Sequence, residues 1–98
     1  DLTNKGLSKL PDLTKYINLK KLNCSYNYIT RLDNLPINLT TLDCWNNKLT
    51  HLDNLPINLK GLYCFNNPLI YDFEPTLENI RKFNSSRGKS YASIASLI

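Results

Sequence analysis

Three cysteines, Cys24, Cys44 and Cys64, are the residues of this sequence with the greatest potential for chemistry. Thiolates bind zinc, but structural zinc sites use cysteine pairs separated by about two to four residues. Here the cysteines recur at one fixed interval of 20 residues, so none has a close partner. An odd number of cysteines also argues against a disulfide framework. The spacing therefore predicts reduced thiols in the core, a reducing intracellular compartment, and no metal or cofactor.

Two other features could suggest catalysis or nucleotide binding. The single histidine, His51, aligns with Arg31 in the repeats described below, which indicates a solvated side chain. The sequence GKS at 88–90 resembles the end of a phosphate-binding loop, but Phe83 stands where that motif needs glycine. Neither pattern supports an active site, and we expect no enzymatic activity from these 98 residues.

The cysteines belong to successive copies of one 20-residue unit. Aligning residues 30–49 with residues 50–69 gives 14 identities in 20 positions, and the octapeptide LDNLPINL occurs in both segments. The shared pattern is L-x-x-L-x-C-x-x-N-x-L-x-x-L-x-x-L-P-x-N. It divides a single domain of residues 1–98 into a degraded first repeat and N-terminal cap at 1–18, repeats at 19–38, 39–58 and 59–76, and a C-terminal cap and tail at 77–98.

Each unit has the sequence pattern of one strand followed by a return segment. The L-x-C part alternates apolar and exposed positions with the period of 2 that is typical of a strand. Leucines then recur every three residues, and Pro36 and Pro56 would interrupt a helix there. The pattern therefore predicts short strands joined by extended or 3₁₀-like segments, with little helix.

The segments LTTLDCWNNKLTHLDNLP and LKGLYCFNNPLI resemble leucine-rich repeats, with Cys in place of the third leucine of L-x-x-L-x-L-x-x-N/C-x-L. The short period is most similar to the 20-residue class of bacterial effector proteins and to Asn-rich arrays of giant DNA viruses. The resemblance covers roughly residues 2–83. It implies an α/β-type repeat solenoid, a right-handed coil with a short parallel β-sheet on its concave face. It also implies a structural asparagine ladder formed by Asn27, Asn47 and Asn67.

The outward positions of the strands differ between the copies, whereas the Leu, Cys and Asn positions do not. Adjacent strands lie about 4.8 Å apart, so the outward residues are expected to form one contiguous patch on the concave face. Gly61 would lie within it, and the predicted partner contacts are Lys21, Asn23, Ser25, Thr41, Asp43, Trp45, Tyr63 and Phe65. Contiguous exposed aromatic residues favour a binding surface. The alternative is that the rings pack on one another, or under a terminal tail, merely to stabilise the sheet.

The predicted function is non-enzymatic recognition of a protein partner through this face. An alternative is a targeting or substrate-recognition arm of a larger enzyme or effector. The net charge of +4 includes no dense basic run, and the central patch has Asp43 beside one clear cation, Lys21, which disfavours nucleic-acid binding. No apolar run approaches the roughly 18 residues of a membrane span.

The repeat register ends after Leu69, and the segment PTLENIRKF at 75–83 has apolar residues every three positions. This spacing suits an edge strand near 79–83 or a short capping helix entered at Pro75, and we favour the strand. The apolar sequence YASIASLI at 91–98 is expected to fold back over the exposed end. An uncovered edge strand would instead favour a homodimer.

Overall fold

The computed structural model describes residues 1–86, and the fold is built on three short strands. β1 spans Lys21–Asn23, β2 spans Thr41–Asp43 and β3 spans Gly61–Tyr63. They form one sheet in the order β1-β2-β3, and both neighbouring pairs are parallel. Each residue pairs with the one 20 positions later, as Leu22 does with Leu42. The strand register therefore equals the period of the sequence repeat, which is compatible with a repeat coil.

Backbone hydrogen bonds continue the ladder beyond the strands. The Cys24 N–H donates to the Asp43 carbonyl at 2.8 Å, directly after β1. On the other edge of β1, the Leu2 N–H donates to the Asn23 carbonyl at 2.8 Å. The N-terminal segment thus covers one edge of the sheet and satisfies backbone groups that would otherwise need water.

The return segments contain tight turns and no helix between residues 24 and 76. In two of them the proline carbonyl accepts the closing bond, from Leu39 N–H to Pro36 at 3.3 Å and from Leu59 N–H to Pro56 at 3.1 Å. Proline has no N–H to donate and resists helical continuation. The two prolines of the repeat therefore keep this side of the chain non-helical.

The core lies beneath the sheet and is filled by leucine, isoleucine and one cysteine per unit. Leu42, Cys44, Leu49 and Leu52 of the central unit are fully buried. Burial of each leucine contributes about 1.5–3 kcal/mol to the free energy of unfolding. The three-residue strands are too short to be stable alone, so this shared apolar interior holds the units together.

Asparagines outside the predicted ladder hold the backbone in the left-handed region. Asn34 and Asn54 have φ of 59° and 56°, and Asn46 and Asn66 have φ of 55° and 59°. Among residues other than glycine, Asn adopts this region most readily because its short polar side chain bonds locally. The repeated asparagines of each unit are therefore partly a requirement of the chain path.

The prediction of a strand near 79–83 is wrong, because residues 77–86 form a helix, α1. Thr76 caps it: the Thr76 Oγ1 accepts from the Asn79 N–H at 3.1 Å, and the Thr76 carbonyl accepts from the Ile80 N–H at 2.9 Å. The three-residue spacing of apolar side chains was one face of a helix. Ile80 is fully buried, so α1 covers one end of the core. The prediction for residues 91–98 lies outside the described residues.

Candidate functional site

The face of the sheet opposite the core brings most of the predicted binding residues together. Lys21, Thr41 and Gly61 are register partners across the three strands, and Asn23, Asp43 and Tyr63 form the next row. Lys21 and Tyr63 are exposed, and the others are half-buried. The two rows therefore form one continuous accessible surface over β1, β2 and β3.

Ser25 does not belong to this surface, and its prediction as a partner contact is wrong. The side chain is fully buried beside the N-terminal segment, where the Asn4 N–H donates to the Ser25 carbonyl at 3.1 Å. Its Oγ has no hydrogen-bond partner, although burying an unpaired hydroxyl costs about 1–3 kcal/mol. The period of 2 predicted the direction of the side chain but not the chain segment that covers it.

Three aromatic rings form a continuous row where the strands end. The rings of Tyr26 and Trp45 meet edge to face with centroids 4.7 Å apart, and Trp45 stacks on Phe65 with centroids 5.0 Å apart. Tyr26 and Phe65 each remain about half exposed. We call Tyr26, Trp45 and Phe65 the aromatic row. The rings do pack on one another, as the alternative interpretation requires, and the row still presents aromatic surface to solvent.

Tyr26 was missed by reasoning from the sequence, although a signal was present. Where the other two units have Asn46 and Asn66, the first has tyrosine, and all three residues adopt left-handed φ, 58° for Tyr26. This conformation costs a residue such as tyrosine about 1–2 kcal/mol. Strained residues of this kind concentrate at binding and catalytic sites. Tyrosine in place of Asn thus adds a third ring to the row, although tyrosine disfavours the left-handed conformation at this position.

Gly61 leaves a shallow notch beside the ring of Tyr63. A Cβ placed at Gly61 would lie 3.6 Å from side-chain atoms of Thr41 and 3.6 Å from Tyr63 Cε2. The Tyr63 ring therefore lies along the strand over the glycine, where a larger side chain would displace it. Asp43 is the register partner of Tyr63, and within residues 1–86 its carboxylate makes no hydrogen bond or ion pair.

The ladder asparagines, of which Asn47 is buried and Asn67 half-buried, join neighbouring units through their side-chain amides. Asn47 Nδ2 donates to the carbonyls of Cys44 and Cys24, both at 3.1 Å, and its Oδ1 accepts from the Ile29 N–H at 3.0 Å. Asn67 bonds in the same way to Cys64 and Cys44, at 2.9 and 3.0 Å. Each amide thus satisfies backbone groups at the point where a strand ends, including groups of the preceding unit.

The cysteine column has the properties of a core rather than of a reactive site. Cys24, Cys44 and Cys64 are free and buried. Burial raises the pKa of Cys24 to about 12, with a further contribution from the Asp43 charge, and burial likewise raises the pKa of Cys44. A thiol that stays protonated is a poor nucleophile and ligand. Among the described residues, no group of three His, Cys, Asp or Glu side chains is placed to hold a metal ion.

His51 is part of a surface pair that also occurs one unit earlier. Its Nε2 lies 3.3 Å from Asp53 Oδ2, and its Nδ1 lies 3.0 Å from Thr50 Oγ1. In the preceding unit, Arg31 Nε donates to Asp33 at 2.8 Å. The Arg31 side chain is largely exposed and the side chains of the other three residues are about half exposed, so water screens both pairs and they contribute little to stability. The histidine occupies a position that holds Arg31 in the preceding unit and Tyr71 in the following one.

Comparison with models of protein families, with curated proteins and with solved structures finds no match for this chain. Within residues 1–86, no helix combines the length and apolar character that crossing a bilayer requires. The strand face, its aromatic row and the exposed residues around them are therefore the features that point to a function.

Proposed function

We propose that the chain is a right-handed leucine-rich-repeat solenoid that recognises a protein partner through its concave strand face, without enzymatic activity. The observation that carries this proposal is the aromatic row, three rings in contact across neighbouring units with two of them about half exposed. Aromatic residues dominate the energetics of protein interfaces because they bury large surfaces at little cost in conformational entropy.

The residues around the aromatic row favour binding of a specific partner over non-specific hydrophobic association. Each ring follows a strand of a hydrogen-bonded sheet, so the row is held by the backbone ladder rather than by a mobile loop. Beside it, the Tyr63 hydroxyl and the Asp43 carboxylate, which makes no ion pair within residues 1–86, offer a polar group and a charge to orient a ligand. Apolar contact surface next to a few polar groups is the usual anatomy of an interface core and its rim.

The cysteines support an intracellular compartment for the proposed function. Three buried, unpaired thiols in a small domain support an intracellular location, since domains of this size in oxidising compartments commonly carry disulfides. This location is consistent with the cytoplasm, including that of a host cell, as the resemblance to effector repeats implies.

The outer edge of β3 supports a second association, a homodimer through strand pairing. The Gly61 N–H donates to the Thr40 carbonyl, and the Tyr63 carbonyl accepts from the Cys44 N–H. The backbone groups of residues 61 and 63 therefore point toward β2. Residues alternate along a parallel ladder, so the N–H and C=O of Leu62 face the other way. Among the described residues no fourth strand pairs there. Light scattering over a range of concentrations tests this association, and a monomer throughout would contradict it.

Affinity capture of a partner tests the main proposal. The bait proteins are the wild type, the double variant Trp45→Ala, Phe65→Ala, and Tyr16→Ala, a comparably exposed tyrosine outside the aromatic row. We expect a partner retained by the wild type and Tyr16→Ala to be lost from the double variant. Circular dichroism establishes that all three are folded. Equal retention by a folded double variant would exclude the aromatic row as the binding surface.

A further inference from the structure

The tip of one turn in each unit exposes an isoleucine, and neither turn chemistry nor burial explains it. Ile17, Ile37 and Ile57 are 58%, 64% and 82% exposed. Each directly follows the residue whose carbonyl closes the turn with the N–H three positions later. Such tips favour glycine, proline, asparagine, aspartate and serine. We call Ile17, Ile37 and Ile57 the isoleucine row.

Contacts between neighbouring turns place the tips in sequence along one side of the molecule. Asn38 Nδ2, in the second tip, donates to the Ile17 carbonyl of the first at 2.8 Å. Ile37 lines a shallow depression together with Pro56, which directly precedes the third tip. The tips precede the strands and the aromatic row follows them, so the two surfaces occupy opposite ends of the strands.

Basic side chains flank the isoleucine row at both ends. Arg81 of α1 donates to the carbonyls of Pro56 and Ile57, at 2.8 and 3.2 Å, which places a guanidinium directly beside the third tip. Lys15 lines a depression with Ile17 at the other end. Among the described residues, Lys60, Arg81 and Lys82 line one depression near the third tip, and the exposed Lys20 follows Ile17 by three positions in the chain.

Few acidic side chains oppose these cations. Glu78 lines the same depression as Lys60, Arg81 and Lys82, and its Oε1 lies 3.7 Å from Lys82 Nζ. Both members of that pair are largely exposed, so water and salt screen it. Asp12, near the first tip, is hydrogen-bonded to the hydroxyl and N–H of Thr14. The surface around the isoleucine row therefore carries a net positive charge.

We propose that the isoleucine row and its flanking cations form a peripheral binding site for an anionic lipid bilayer. A line of apolar side chains at turn tips suits a flat, deformable partner, whose headgroup boundary admits the tips while lysine and arginine contact lipid phosphates. A protein partner would instead need a groove whose shape is complementary to this single line of side chains. The proposal concerns the protein's surface alone and does not rest on partner recognition by the aromatic row.

Co-sedimentation with vesicles tests the proposal. We expect the full chain to bind vesicles of phosphatidylcholine with phosphatidylserine at least about tenfold more tightly than phosphatidylcholine alone. The double variant Ile37→Ser, Ile57→Ser should bind the anionic vesicles at least about tenfold more weakly. Ile70→Ser is the matched control, because Ile70 is 73% exposed and lies outside the row. Lys20→Gln, Lys60→Gln should weaken binding and reduce its salt dependence.

Three results would overturn the proposal. The first is that the wild type does not bind the anionic vesicles, and the second is that Ile70→Ser weakens binding as much as the double variant. The third is that the double variant changes the oligomeric state in light scattering and leaves vesicle binding unchanged, which would make the row a contact between copies. If the double variant does not fold, Ile57→Ser alone decides, because Ile57 is the most exposed of the three. Loss of partner capture in Trp45→Ala, Phe65→Ala with intact vesicle binding would separate the two surfaces.

Discussion

The ring of Trp45 stacks on the ring of Phe65 at a centroid distance of 5.0 Å, with an angle of 30° between the ring planes. The two residues are 20 positions apart in sequence, and the parallel register of β2 and β3 makes them neighbours. Their contact therefore depends on the strand register. The same register brings the residues of the candidate binding face together.

A double-mutant cycle measures this contact. Trp45→Ala and Phe65→Ala should each destabilise the fold, and the coupling between them should be about 0.5–1.5 kcal/mol, the range of aromatic pairs. Urea unfolding of the wild type, both single variants and the double variant supplies the four free energies of unfolding. A coupling near zero would show that the rings are adjacent without stabilising each other.

Two substitutions at Tyr26 separate ring contact from backbone strain. Tyr26→Ala removes the contact with Trp45. It also places alanine in a left-handed backbone conformation, which alanine adopts only at a cost in free energy. Tyr26→Asn removes the same ring and installs the residue that the other units have at this position. We expect Tyr26→Asn to be more stable than Tyr26→Ala by about 1 kcal/mol in urea unfolding, with equal effects on partner capture. Identical stabilities would argue against strain at Tyr26.

The amide of Asn47 should be among the most sensitive positions of the fold. Asn47→Ala leaves the Ile29 N–H without its buried acceptor, at a cost of about 1–3 kcal/mol. It also removes one of the two amide donors from the carbonyls of Cys24 and Cys44, which keep their bonds from Asn27 and Asn67. Asn58→Ala is the matched control, since Asn58 is exposed and should change stability by no more than about 0.5 kcal/mol. Thermal and urea unfolding of both variants test the difference, and similar losses would exclude a special role for the buried amide.

The buried thiols predict a loss of stability at alkaline pH. The folded protein raises the pKa of Cys24 from 9.0 to about 12, so above pH 9 the unfolded chain releases a proton that the folded chain retains. Stability is therefore complete below pH 9 and falls as pH rises toward 12, by about 1.4 kcal/mol per such thiol at pH 10. Unfolding from pH 8 to pH 10 measures this slope.

Cys24→Ala provides the control for the alkaline effect. Its free energy of unfolding should fall less between pH 8 and pH 10 than that of the wild type, because one of the retained protons is gone. Native protein should also react slowly with thiol reagents near neutral pH. Rapid labelling of folded protein would contradict the buried, protonated state.

The sequence repeat correctly predicted which residues of neighbouring units are paired. A constant period of 20 with no gap aligns Leu22 with Leu42 and Leu62, and the sheet has this register. It did not predict the structure at the two ends of the array, where the repeats contact the C-terminal helix and the N-terminal segment. The helix at 77–86 has the same three-residue apolar spacing as the return segments, and its start depends on the cap formed by Thr76. Ser25 is likewise buried because the N-terminal segment lies beside it.

The repeated octapeptide LDNLPINL shows the division between sequence and tertiary structure most clearly. By itself the sequence determined the period, the absence of helix around Pro36 and Pro56, and most of the residues that the strands bring to one face. It did not distinguish the apolar residues of the octapeptide, of which Leu39 is fully buried and Ile37 mostly exposed two positions earlier. Hydrophobicity is a property of the side chain, whereas burial depends on where the turn closes and which neighbours pack against it. Only the folded chain therefore revealed the isoleucine row and the third ring of the aromatic row.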